Sequence, residues 1–428
     1  MHKSTTWLPE ASRARRRHHN GSTVRNRLIC SRQACNQGRP TVFGFTLNEE
    51  QQAIRDAISR TIAEFGDDYW LARDTDGRFP DEFCSVLAQG GWFGITMPEE
   101  YGGAGKGITE AAIVMNAIGA HGAAATSAVH INLFGPQPVV VFGTPEQKAR
   151  MLPPLVRGEH RACFGVTEPD AGTNTPNITT FAQRRGDRYI VHGKKVWIST
   201  AQRADKILLV TRTTRREDCA KGTDGITLFY TDLDRSKIEV REIDKMARKA
   251  VDSNELFIDG LEIPEEDRIG EEGKGFRYLL HGLNPERILV AASVVGGGMR
   301  TLSRATDYAR QRVVFDRPIG MNQAIQHPLA DCWMRLQAAE LMMWKAATLY
   351  DAGQACGTEA TAAKYLAAEA AFETAQRAVR VHGGYGFAKA FHVERSYRES
   401  ILSMIAPLSQ ELALCHIAEH ALGLPKSY

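Results

Sequence analysis

The segment Asn284-Pro-Glu-Arg287 sets one carboxylate, Glu286, between a proline and a guanidinium where a helical pattern resumes. By local grammar Asn284 is an N-cap, Pro285 the first helical residue, and Glu286 an acid facing the positive end of the helix dipole. A second pattern, Lys195-Val-Trp-Ile-Ser199, carries an aromatic ring and a hydroxyl in a β-prone run, where a lone Trp ordinarily belongs to a core. A third, Gly383-Gly-Tyr-Gly-Phe387, follows a helical stretch as a C-cap would. The commoner chemistries leave no trace: no GxGxxG follows a strand, and there is no Walker loop, HExxH or GxSxG. The 8 cysteines show no CxxC or CxxH spacing, which argues against zinc or a disulfide scaffold and for a reduced compartment. Spacing excludes the usual nucleotide, hydrolase and metal signatures without naming a reaction.

The elements that must position these residues fall into three textures. Ordered chain is expected from Thr46, where Thr46-Leu-Asn-Glu49 reads as a capping box and Ile54, Ile58, Ile62 and Phe65 recur at helical spacing. Helical signals run to about residue 157, interrupted by the glycine-rich loop 97–105. From about 161 short β-prone runs take over. Residues 189–199 read as a hairpin around Gly193, followed by runs at 206–212, 225–232 and 254–259. With no helical pattern between them, these suggest a compact antiparallel unit rather than a βαβ sheet. After Ile263-Pro264 and the stretch 270–276, helices return near 285–311, 358–381 and 408–421. Leu329, Cys332, Leu336, Ala339, Met343 and Ala346 form an amphipathic stripe, so four long helices read as a bundle. The expected domains are a tail at 1–40, a helical domain at 41–160, a β unit at 161–280 and a bundle at 281–428.

Composition agrees with a folded, multi-domain chain. Its 428 residues are 43% apolar and 24% charged, near the globular average, which excludes a disordered or fibrous protein. The longest apolar stretch, 288–299, has 12 residues, short of the roughly 20 needed to span a bilayer. The net charge of +3 hides an asymmetry. Residues 1–40 hold nine of the 53 basic residues and one of the 50 acids, leaving 44 against 49, a net −5, beyond them. A nucleic-acid-binding body is not indicated. The Arg-rich, acid-poor tail matches an organellar transit peptide or a disordered extension; a cytoplasmic location is expected, with a mitochondrial one the alternative if the tail targets.

Residues 164–174, Phe-Gly-Val-Thr-Glu-Pro-Asp-Ala-Gly-Thr-Asn, resemble the flavin-binding signature of the acyl-CoA dehydrogenase family, as does Lys195-Val-Trp-Ile-Ser199. The likeness continues in family order through Tyr308-Ala-Arg-Gln-Arg312, Pro318-Ile319, Gln323, Leu329-Ala-Asp331 and Gly383-Gly-Tyr-Gly-Phe387. It implies a mainly α fold with a β middle domain: a helical domain, an antiparallel β-barrel and a four-helix bundle. It also implies FAD, an acyl-CoA substrate, an electron-transfer flavoprotein as acceptor, and a homodimer or homotetramer. A flat isoalloxazine with one polar edge wants an aromatic neighbour and hydrogen-bond donors. By resemblance Phe164, Val166, Thr167, Trp197 and Ser199 meet the ring, while Gly172 and Thr173 admit and bind a phosphate. Arg312, Gln323, Arg380, Gly383 and Gly384 match positions that complete the adenine half from a neighbouring subunit, and Ser409 is placed in the cofactor set. Thr173, Asn284 and Arg287 are expected at the substrate.

The same likeness exposes departures. Thr173-Asn174 replaces the family's Ser-Asp, and Thr200-Ala201 its Asn-Gly. Most members carry a catalytic Glu before the last helix; counted without gaps from Arg398, that position is Pro407, which also has no N–H for the thioester oxygen. Isovaleryl-CoA and long-chain types carry the base just before an Arg in the bundle's first helix, where Glu286 stands. The resemblance therefore assigns Glu286 as the base, against the helix-start reading, with Glu411 the nearest downstream substitute. A flavin monooxygenase or oxidase, or a catalytically silent flavoprotein, are the competing readings on this fold.

Overall fold

A computed structural model describes residues 46–427; the tail at 1–40, with its targeting reading, lies outside the described residues. The first seven helices are α1 (Glu49–Thr61), α2 (Asp67–Asp76), α3 (Asp81–Gln89), α4 (Ile108–Ala120), α5 (Thr126–Phe134), α6 (Gln137–Phe142) and α7 (Pro145–Val156). The expected cap at Thr46 is displaced by two residues. Asn48 Oδ1 accepts from Gln51 N at 2.8 Å, and the Asn48 N–H donates to Gln51 Oε1 at 3.2 Å. Asn caps as well as Thr, and Gln51 at N3 closes the box from Asn48 as Glu49 would have done from Thr46.

Eight strands follow: β1 (Ala162–Gly165), β2 (Phe181–Arg185), β3 (Arg188–Ser199), β4 (Lys206–Arg212), β5 (Ile226–Asp232), β6 (Ile238–Glu242), β7 (Ser253–Pro264) and β8 (Arg268–Ile269). They form one sheet in the order β6-β7-β3-β2-β4-β5-β8, with β1 beside β4. Pairing is antiparallel except where β1 and β2 meet β4, and among the described residues no pairing joins β8 to β6 to close the expected barrel. The hairpin expected within 189–199 is instead the single strand β3. Gly193 serves close approach, not a turn, because a Cβ there would lie 2.4 Å from Thr180 Oγ1. The true hairpin turn joins β2 to β3 at Gly186, whose φ of +64° suits glycine.

The C-terminal part contains α8 (Gly275–Gln311), a short hairpin of β9 (Val313–Val314) and β10 (Arg317–Pro318), then α9 (Gln323–Asp351), α10 (Gly357–His382), α11 (Val393–Ile405) and α12 (Gln410–His420). All six residues of the α9 stripe are buried. Two expectations change here. α8 begins at Gly275, so the 280/281 boundary falls inside a helix, and Asn284 is an interior residue rather than an N-cap. The bundle also gains α11, over residues the sequence pattern had not marked as a helix.

Pro285 within α8 lacks the N–H that would bond the His281 carbonyl four residues back. Tyr350 Oη, near the end of α9, donates to that carbonyl at 3.4 Å, so the helix passes the proline. α4 crosses α8 at backbone contact: a Cβ on Gly119 would sit 2.1 Å from Ser293 O, and one on Gly296 2.2 Å from Asn116 O. The next residue of α9, Asp351, caps α4 by accepting from Ile108 N at 2.7 Å and Thr109 N at 2.8 Å. Helices α4, α8 and α9 are thereby fixed around the middle of α8. No helix among the described residues is by itself long and apolar enough to cross a membrane.

Candidate active site

The two segments singled out in the β domain come together. Lys195 Nζ donates to Val166 O at 3.0 Å, and Val196 N to Thr167 O at 2.9 Å. Lys195 also meets Glu168 Oε1 at 2.8 Å in a buried pair. Glu168 further accepts from Thr179 N (2.6 Å), Thr179 Oγ1 (2.8 Å) and Thr180 N (3.0 Å). Burial works against both charges. The Lys195 ammonium is drawn down to about 8, while its charge and these donors hold the Glu168 carboxyl below the usual range.

Just beyond this pair β3 slips register against β7 between Lys195 and Ile198. The bulge holds Trp197 at φ +61° and leaves it 58% exposed, so the ring is not a core residue. Phe164, Val166, Thr167 and Ser199 are half-buried; Gly172 and Thr173 lie exposed on the following loop, with nothing within 4 Å of a Cβ on Gly172. An aromatic wall turned outward by a bulge, with Ser199 two residues on and Thr167 brought alongside by its bond from Val196, suits the isoalloxazine that the resemblance implies. The residues present fit the group.

Packing links the helix that carries Glu286 to the flavin segment at one remove. It lies one turn from Gly282 on the same face of α8, where a Cβ would approach Phe134 O at 3.6 Å. Phe134 in turn packs edge-on against Phe164, ring centroids 5.4 Å apart. Among the described residues the Glu286 carboxylate has no hydrogen bond and no ion pair. Burial pushes it up to about 7, with the Arg287 charge pulling partly back. A general base works best with a pKa near the operating pH, and Glu286 meets that condition. Its neighbours Asn284 and Arg287 face α10 instead. Arg287 Nη1 donates to Asn284 Oδ1 at 3.1 Å and to Thr361 Oγ1 at 3.4 Å, and burial lowers the guanidinium.

A second cavity, about 500 Å³, joins Arg312, Gly383 and Gly384 with Tyr308, His382 and Tyr385. Arg312 stands 6.0 Å over the Tyr385 ring, and Gly383, at φ +60°, also ends α10 as a C-cap. The C-cap reading of that glycine holds, and the pair also lines the cavity. The exposed Gln323 and Arg380 lie outside its lining. Ser409 is the N-cap of α12, its Oγ accepting from Leu412 N at 3.2 Å, and shows no bond to the flavin segments. Glu411, the substitute base, is exposed. Sequence reading missed Glu168 and Lys195 as a working pair, although both stand inside the quoted segments. It also missed Lys364, buried and donating to Leu408 O and to Gln410 Oε1 at 2.8 Å, which ties the loop before α12 to α10. An apolar-flanked Lys in an Ala-rich helix was the available signal.

The models for the acyl-CoA dehydrogenase N-terminal, middle and C-terminal domains match residues 48–159, 163–261 and 273–422. The acyl-CoA dehydrogenase FadE12 of Mycobacterium tuberculosis is 37% identical over 390 residues, covering 91% of this chain and 100% of the relative. The butyryl-CoA dehydrogenase structure from Megasphaera elsdenii superposes with a TM-score of 0.84 at 29% identity, covering 89% of this chain and 100% of that one. A chain from a structure described as the electron transferring flavoprotein of Acidaminococcus fermentans gives 0.85 at 29% identity, covering 88% and 99%. With three domain models in order and a relative matched over its full length, the chain belongs to the acyl-CoA dehydrogenase family, FAD-dependent enzymes that dehydrogenate acyl-CoA thioesters.

Proposed function

We propose that Glu286 is the base of this acyl-CoA dehydrogenase, removing the α-proton of the thioester onto its carboxylate as the trans-2-enoyl product forms. The observation that carries this is a half-buried carboxylate without a protein partner, raised to about 7 by burial, on a helix that packs near Phe134 and through it toward Phe164. Phe164, Val166, Thr167, Trp197 and Ser199 would hold the isoalloxazine, with Gly172 and Thr173 at a phosphate. Bound FAD supplies the two-electron acceptor for the β-hydrogen. The protein's own part is to orient the α-carbon toward Glu286, keep water from the developing negative charge, and fix the ring-binding segment through the Lys195–Glu168 pair.

The cavity at Arg312 and Gly383–Gly384 is the place for the adenine half, completed by a second copy of the chain. Beside it the β9–β10 hairpin presents Phe315 at 94% exposure, an apolar tip suited to a subunit contact. Electron-transfer flavoprotein is the acceptor we favour, supported by the similarity to the Acidaminococcus fermentans chain. The cysteine pattern supports a reducing compartment such as the cytoplasm. Anaerobic titration of the yellow protein with straight, branched and aromatic acyl-CoAs tests the reading. Bleaching by at least one is expected; a protein that binds FAD yet bleaches with none would refute it.

A further inference from the structure

A separate cavity of about 80 Å³ lies inside the molecule where α4, α5, α8, α10 and α11 converge. Its walls are unusually cationic: Arg248, Arg300, Arg304 and Arg395 line it, together with Thr126 and Ser293. Arg300 and Arg304 share Asp67, which takes Arg300 Nη2 at 2.8 Å and also contacts Arg304. Burial opposes the Asp67 charge, but the two guanidiniums hold its carboxyl down to about 2.

Arg248 and Arg395 have no acid within ion-pair distance among the described residues. Arg248 Nη1 donates to Thr126 Oγ1 at 2.5 Å, but its Nε has no partner. Arg395, only 4% exposed, leaves Nη1 unpartnered, and so do Nδ1 of the 7%-exposed His392 and Nε of Arg300. The one further acid in the wall, Glu399, leaves Oε1 unbonded; burial pushes its carboxyl up, while the charges of Arg248 and Arg395 pull partly back, so one acid faces both arginines without bonding either. Buried guanidinium N–H groups left without a hydrogen-bonded acceptor are costly, and an anionic oxygen in the cavity would satisfy them.

The cavity also stands in line with the reaction site. On α8, Ser293, Gly297, Arg300 and Arg304 follow Glu286 at i+7, i+11, i+14 and i+18, one helix face. Ser293 is two turns from Glu286, about 10 Å along the axis. On α5, Thr126, His130 and Phe134 make a parallel column: His130 stacks on Phe134 at 5.1 Å, and Phe134 meets Phe164. Both helices lead from the flavin segment to the arginines.

We propose that this cavity receives a carboxylate at the far end of the acyl chain, so that ω-carboxyacyl-CoA thioesters spanning about two helical turns are the favoured substrates. The proposal rests on Glu286 marking the thioester end. A carboxylate there would accept from Arg248 and Arg395 and compensate the charge excess. A free anion offers the same chemistry, and the test separates the two sources.

Holoenzyme is bleached anaerobically with a length series from glutaryl- to sebacoyl-CoA and with plain acyl-CoAs of matched length. Suberoyl- and sebacoyl-CoA are expected to exceed their plain counterparts in kcat/KM, with glutaryl-CoA too short to benefit. In Arg248→Met the preference ratio falls on the order of a hundredfold, as expected when a buried charge loses its partner. FAD content and Tm confirm that the variant folds. Bleaching by plain acyl-CoAs alone overturns this proposal but leaves the Glu286 reading standing, whereas bleaching by neither series removes both. A rise of parent Tm with acetate that Arg248→Met abolishes, without any substrate preference, assigns the cavity to a free anion and also overturns it.

Discussion

Glu168 and Glu286 are carboxylates enclosed by the same fold and given opposite surroundings. Glu168 lies in the β domain with a lysine and three donors around it, and its charge is secured. Glu286 lies on α8 with no protein partner, and burial lifts it to about 7. Depth alone does not set the chemistry of a buried acid. The count of donors does: a fully bonded carboxylate fixes backbone, and an unbonded one is left free to take a proton. The pairing around Glu168 also has a task at one remove, because Lys195 bonds the Val166 carbonyl in the segment beside Trp197.

The sharpest way to break the contrast is Glu286→Gln. The variant should keep fold, flavin and acyl-CoA binding while flavin reduction slows on the order of 10²–10⁴-fold, the usual loss for a positioned base. Stopped-flow bleaching measures it, and parent-like rates would return Glu286 to a structural role. The parent rate should rise with pH through about 7 as the carboxyl loses its proton. Stability runs the other way. With the folded value raised from 4.5, the protonated acid favours the native state below about 4.5, and that contribution is lost as pH climbs through about 7. Glu286→Gln should therefore gain Tm relative to the parent across that window.

Lys195→Met tests the other half. Removing one partner of a buried pair typically costs about 3–5 kcal/mol, so urea unfolding should show a loss of that order. Flavin should also wash out on gel filtration as the Val166 carbonyl is freed. Unchanged stability with tight flavin would mean the two acids differ less than their surroundings suggest.

Much of the layout was legible in local pattern: strand β4, the buried stripe of α9 and the helical run to Val156 all follow from periodicity. What misled was punctuation. Gly193 looks like a turn because glycine permits one, but it is there to let Thr180 approach. Asn284-Pro285 looks like a helix start, and the dipole account of Glu286 falls with it, since α8 has already run for more than two turns. The carbonyl that Pro285 leaves free is met by Tyr350, a residue 69 positions away. No window around Pro285 contains that information. The residues proposed to hold the ring were legible only through the family resemblance, and Trp197 was recognisable as exposed only once the bulge placed it.

Tyr350→Phe therefore sharpens the comparison at its smallest scale, the helix that carries Glu286. The hydrogen bond to His281 O is long at 3.4 Å and solvent can replace it in part, so its loss should cost about 0.5–1 kcal/mol with little change in bleaching rate. Pro285→Ala restores an N–H four residues after His281, and in that background the phenol has no orphaned carbonyl to serve. The cost of Tyr350→Phe should then vanish, giving a coupling energy about equal to the single effect. Additive costs would show instead that Tyr350 contributes through packing, and that α8 passes Pro285 without its help.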